Sequence, residues 1–283
     1  MRRTLILIAL ASPSGLAAQD TENCRFEIIN VDRQGRRDST ASGINYYAGG
    51  NVILGCAGRP IRMNSDSIAS YGGALGIVQF IGDVTYQDST IVMTADNGTY
   101  HRQGERWEAR GNVVTRNLET GSTLEGPMLD YYRVLKGTRD TSEMYAQGRP
   151  VIHYIPVDSA GRAEEAYVIV ADRVRMKGND RIWTAGRTTI NRSDFAASAD
   201  SMRLDTGAGQ DGTLIGNPVM RGFGADTFDL RGNRIDLQLD RQELDYVVAK
   251  GNAHAVGTDI DLTADTIALD IEQEELKQTL AWG

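Results

Sequence analysis

The segment IDLTADTIALDI (Ile260 to Ile271) alternates apolar and polar residues as a half-buried strand does, and then breaks step. Ile260, Leu262 and Ala264 hold one parity; Ile267 and Leu269 hold the other. Successive side chains of a strand point to opposite faces, so such a switch turns the apolar set outward unless the chain bends there. The break recurs. FDLRGNRIDLQL (Phe228 to Leu239) carries it at Gly232-Asn233, and IVMTADNGTY, YVIVADRVRM and FAASADSMRL carry it at Ala95-Asp96, Ala171-Asp172 and Ala199-Asp200. Weaker copies fall at Ser65-Asp66 and at Gly126. The spacing is roughly 30 residues, a period that marks an array of repeated units.

A bulge adds a residue to a strand, bends it and resets which side chains face inward. A small residue followed by Asp or Asn suits that corner, since little room is left inside and Asp can bond nearby backbone amides. Each copy is followed by a polar loop and a second short strand that closes on glycine, as in WEARGNVV, IVQFIGDV, IWTAGRTTI and LDYVVAKGNA. The pattern is hairpin after hairpin, about seven of them and roughly 14 strands, with no amphipathic helix. The expected fold is all-β: an elongated antiparallel sheet folded over on itself along a line of corners. One step is longer, and HYIPVDSAGRAEE (His153 to Glu165) reads as a loop inserted into a hairpin.

The chain opens MRRTLILIALASPSGLAA, two arginines before a short apolar run and then small residues, the order of a secretory signal peptide. Residues 1–18 are therefore read as the signal, 19–48 as an N-terminal segment and 49–283 as the repeat array, with the insertion at 153–165. The apolar run is too short to span a bilayer. A net charge of −8 disfavours a phosphate backbone as partner, which sets nucleic acid aside. In an exported chain, Cys24 and Cys56 are candidates for a disulfide; two unpaired thiols are the alternative.

Bent strands of this kind turn their apolar residues toward one another. The inward set is Ile91, Met93, Ile169, Val174, Met202, Leu204, Phe228, Leu230, Ile235, Leu237, Val247, Ile260, Leu262, Ile267 and Leu269. Two readings stay open. These residues close a solid core, or they line a trough that an acyl chain occupies, because an unfilled apolar trough is costly in water.

TADNGTY…WEARGNVV, TADTIALD and VVAKGNAHA resemble the OstA-like, or LptA-like, β-jellyroll repeats of lipopolysaccharide transport. The likeness runs from about Gly49 to the C-terminus and includes Gly111-Asn112-Val113, Gly251-Asn252-Ala253, Gly82-Asp83-Val84 and Gly50-Asn51-Val52. It implies a periplasmic bridge that shields lipopolysaccharide acyl chains, a fold shared with LptC and the N-terminal part of LptD, and assembly edge to edge with such proteins or with itself. The closing LKQTLAWG matches only the start of a closing strand, which leaves open a fragment or a strand completed by a partner.

No enzyme and no cofactor are expected. Asp66, Asp96, Asp172, Asp200 and Asp265 recur at the corners, where a turn role is simpler than a catalytic pair at a set separation. His101, His153 and His254 lack zinc-ligand spacing, and no Gly-x-Ser-x-Gly elbow occurs. Trp107, Trp183 and Trp282 read as packing or rim residues. An exported β-solenoid acting on polysaccharide and a ligand-free structural envelope protein are the alternatives to a lipid carrier.

Overall fold

The structure, a computed structural model, describes residues 24–283 except 42, 73–75, 159, 224–226, 241–242, 259 and 273–274. The expected signal peptide, 1–18, lies outside the described residues. Among the described residues, 21 strands form one antiparallel sheet.

Full-width strands cross the whole sheet in the N-terminal half: β3 (Gly43–Cys56), β4 (Arg59–Tyr71), β5 (Ile77–Gln87), β6 (Ile91–His101), β7 (Arg106–Asn117) and β8 (Thr123–Tyr132). Farther on, two short strands often share one rung. β9 (Glu143–Gln147) runs into β10 (Val151–Tyr154), and β11 (Tyr167–Val170) into β12 (Arg173–Lys177). After the full-width β13 (Arg181–Asn191) and β14 (Phe195–Asp205), β15 (Asp211–Ile215) joins β16 (Val219–Phe223), and β17 (Thr227–Arg231) joins β18 (Arg234–Asp240). β19 (Glu243–Gly257) and β20 (Asp261–Glu272) complete fourteen rungs from β3 onward. The sheet already includes β1 (Phe26–Asn30) and β2 (Arg33–Thr40), which pair with the two halves of β3 and so make a rung ahead of Gly49. Among the described strands, β21 (Glu275–Trp282) pairs with the second half of β20 alone. At ~4.8 Å per rung the array is about 70 Å long.

Every rung bends at its middle, dividing the sheet into two leaves. Between β5 and β6 the pairing jumps from Ile81↔Asn97 to Val84↔Ala95, so Gly82 and Asp83 together face Asp96 alone. The same two-against-one step occurs between β7 and β8, β13 and β14, and β19 and β20, and between β6 and β7 three residues, Gly111 to Val113, face the two residues Ala95 and Asp96. The extra residue thus belongs to the strand carrying the Gly-Asx pair (Gly186-Arg187 in β13), not to the Ala-Asp strand where the parity break is visible. Both members of the pair are left-handed: Gly111 has φ 77° and Asn112 φ 43°, and Gly251 and Asn252 have 74° and 50°. That conformation lets the Gly-Asx strand keep its inward parity through the corner, with Trp107, Ala109, Val113 and Thr115 all buried. Its neighbour has one residue fewer and must switch, from Ile91, Met93 and Ala95 to Tyr100.

The expected insertion is the loop between β10 and β11, pinned by a bridge between Val157 and Ala163. Cys24 and Cys56 are disulfide-bonded and buried, tying the chain ahead of β1 to the end of β3.

Candidate functional site

The space between the leaves is where the chain concentrates its apolar surface. One leaf contributes Val174, Met202, Leu204, Ile235, Leu237, Val247, Ile267 and Leu269; the other contributes Ile91, Met93, Ile169, Phe228, Leu230, Ile260 and Leu262. All fifteen belong to, or pack against, one continuous cluster. Thirteen are buried, and only Ile260 and Leu262, in the last rung, are partly exposed.

Among the described residues, the facing side chains of the two leaves are buried against one another in that one cluster. The physical reason is the cost of wet apolar surface, ~25 cal/mol per Å², which draws two apolar leaves together. A cavity bounded by Ile91, Ser122, Tyr154 and Met176 has a volume of about 40 Å³, which suits water rather than an alkyl chain.

Side chain type divides the interior along its length. Toward the N-terminus the filling is aromatic: Trp107 lies 4.9 Å from Phe80, 5.0 Å from Tyr86 and 6.0 Å from Tyr100, centroid to centroid, and Tyr86 lies 6.1 Å from Tyr131. Toward the C-terminus it is aliphatic and finer-grained, with Leu214, Met220, Ala249, Ala253 and Ala255 beside the residues above.

The rims opposite the corners are joined by polar side chains. Glu105, in the turn between β6 and β7, is fully buried. It accepts from the Cys24 backbone N–H at 3.0 Å, from Arg59 Nη1 at 3.3 Å and from Arg133 Nη1 at 2.6 Å. Cys24 and Arg59 belong to one leaf; Glu105 and Arg133 belong to the other. Arg133 also donates through Nε to Asp88 on the opposite rim, 3.2 Å away. Asp88 accepts from the Tyr86 hydroxyl (2.9 Å), the Tyr131 hydroxyl (3.2 Å) and the backbone N–H groups of Thr90 and Ile91.

This latch is electrostatically consistent. Burial works against the Asp88 charge, yet the amides of Ile91 and Thr90 and the hydroxyls of Thr90 and Tyr86 outweigh it and hold the carboxyl below its ordinary range. Burial likewise opposes the Arg133 charge, and Tyr86, Glu105 and Asp88 more than offset that. Burial pushes the Tyr86 and Tyr131 phenols up, so both stay protonated as donors. Farther along, Asn117 bonds Asn179 across the rims at 3.0 Å, Asn179 bonds Glu119 at 3.0 Å, and Tyr154 donates to the Asn179 carbonyl at 2.7 Å and meets Thr206.

At the C-terminal end the closure changes. β21 covers the second half of β20, while Asp261 to Ala264 pair with β19 on one side and with no described strand on the other. Leu262 and Ala264, with Ile260 just ahead of the strand and Leu276 across from them, are partly exposed there.

The corner aspartates each lie against a glycine of the next rung: a Cβ on Gly82, Gly186 or Gly216 would fall 2.3, 2.5 or 2.3 Å from Oδ2 of Asp66, Asp172 or Asp200. Trp107 is core, whereas Trp183 is half-buried on the outer face and Trp282 is exposed. The latch residues escaped the sequence reading because they lie in turns without periodicity; the one signal was an Asp and a Glu next to strand ends rich in tyrosine. No family model matches the chain, and no curated protein matches it.

Proposed function

We propose that the chain is a periplasmic lipid-binding bridge of lipopolysaccharide transport and outer-membrane assembly, shielding acyl chains between its leaves. The observation that carries this reading is the confrontation of two apolar faces along fourteen consecutive bent rungs, with Ile260, Leu262 and Ala264 on one half of the last rung partly exposed while Ile267 and Leu269 on its other half are buried. The resemblance of the corner motifs to LptA-like repeats supports the same reading. Acyl chains enter at Ile260, Leu262 and Leu276 by parting the aliphatic half of the leaves, while the Glu105–Arg133–Asp88 latch keeps the aromatic half shut. The side of Asp261 to Ala264 that pairs with no described strand is the edge on which a further β-jellyroll strand pairs.

The test is organic extraction of the purified protein followed by mass spectrometry. Co-purifying acylated glycolipid, competed away by added lipopolysaccharide, supports the carrier. An empty protein that takes up no lipopolysaccharide refutes it. A second reading, a ligand-free structural array, is favoured by the buried interior and the bonded rims. It predicts concentration-dependent filaments whose length is indifferent to lipid.

A further inference from the structure

The outer face of the leaf that contains β9, β12 and β13 carries a second concavity, independent of the interior. Register places Tyr145, Arg175 and Trp183 side by side on these three strands, with Gln147, Arg173 and Ala185 in the next outward-facing row toward the corner. The Arg175 guanidinium lies over both rings, 5.3 Å from the centroid of Tyr145 and 5.3 Å from that of Trp183. Glu143 Oε2 accepts from its Nη2 at 3.1 Å and from the Tyr145 hydroxyl at 2.6 Å. Four side chains are thereby fixed to one another on an otherwise open sheet, which removes ordering cost from any ligand that uses them.

The small side chain of Ala185 leaves a recess of about 240 Å³ beside this cluster, room for a single sugar ring. Arg173 stands exposed at its edge and makes no ion pair or side-chain hydrogen bond with a described residue. That differs from its neighbours on this leaf, where Arg203 is neutralised by Asp211 and Arg175 by Glu143. An unpaired guanidinium in a chain of net charge −8 is a local reversal of sign. An aromatic face offers a platform for the C–H face of a sugar, the Gln147 amide offers a donor and an acceptor for hydroxyls, and a guanidinium takes an acid group through two parallel bonds.

We propose that this groove binds an anionic saccharide, its ring against Trp183 and Tyr145 and its acid group on Arg173. The acid can be a sugar carboxylate or a sugar phosphate; the chemistry at Arg173 is the same.

The experiment titrates the full chain with trigalacturonate, mannose phosphate, maltotriose and inorganic phosphate by calorimetry. It is repeated with Arg173→Ala and with Arg116→Ala, which removes an equal charge from the outer face of the other leaf. The expected result is saturable binding of trigalacturonate or mannose phosphate, weakened about tenfold or more by R173A, the scale of one charge-assisted contact, and left unchanged by R116A. The tighter of the two identifies carboxylate or phosphate as the acid. Equal binding of maltotriose, or of inorganic phosphate, or equal loss in both variants, overturns the proposal, as does no binding by either acidic sugar. Both substituted residues are exposed, so circular dichroism identical to the parent confirms that a loss of binding is not a loss of fold.

Discussion

Asp96 rests directly on Gly111: a Cβ built on that glycine would lie 2.3 Å from the Asp96 Oδ2. The glycine is left-handed, and the Asn112 amide beside it donates to the same carboxylate at 2.9 Å. This contact is how one rung's corner is stacked on the next, and similar contacts recur along the array.

Gly111→Ala therefore meets two penalties, a positive φ and a clash with Asp96. It is expected to destabilise by ~1–3 kcal/mol, seen as a lower midpoint in thermal or urea unfolding. Gly104→Ala is the control, because the nearest atom to its added Cβ is at 3.8 Å. A Gly111→Ala midpoint equal to that of the control would show that the stacked corner is not strained by the substitution.

The corners explain how much of the fold was readable in advance. The parity break at Ala95-Asp96 and Ala264-Asp265 announced a bend because inward burial leaves a periodic trace. The extra residue on the neighbouring strand left none, since the left-handed Gly111 and Asn112 preserve the alternation of Trp107, Ala109 and Val113. The inward residues were legible one by one for the same reason. Whether they met or stood apart was not, because leaf spacing depends on side chains from distant turns, such as Glu105 and Asp88, that bond across the rim.

The latch makes stability depend on pH with a definite sign. The Asp88 carboxyl is held below its ordinary value in the folded state, so its contribution is present above that ordinary value and is lost as pH falls through the lowered one. Asp194, in the turn between β13 and β14 with its Oδ1 3.3 Å from Arg192 Nε, has the opposite sense: burial raises its pKa by more than Arg192 lowers it, so ionising it costs stability and acidification relieves that cost. Asp88→Asn is expected to lose ~3 kcal/mol near neutrality, the scale of breaking one partner of a buried ion pair, and to flatten the acid limb of the stability curve. Asp194→Asn is expected to be neutral or stabilising near neutrality. Urea unfolding from acid to neutral pH measures both, and an unchanged acid limb in Asp88→Asn would remove the latch from the account.

Reduction of the Cys24–Cys56 bond tests the N-terminal rung. The bridge spans 32 residues, for which chain entropy gives ~3–4 kcal/mol. The same segment is also held by the Cys24 backbone N–H, which donates to Glu105. Reductant, or Cys24→Ser with Cys56→Ser, is expected to speed hydrogen exchange across β1 and β2 while β13 to β20 keep their protection. Uniform deprotection of the whole chain would instead mean that the array folds as one unit with its first rung.

The central claim is that the inward face of the last rung receives acyl chains. A photocrosslinking side chain at Leu262, which faces the interior, is compared with one at Thr263, its outward neighbour, in the presence of lipopolysaccharide. The account predicts lipid adducts at Leu262 and none above background at Thr263. Equal labelling at both positions, or none at Leu262, would contradict it.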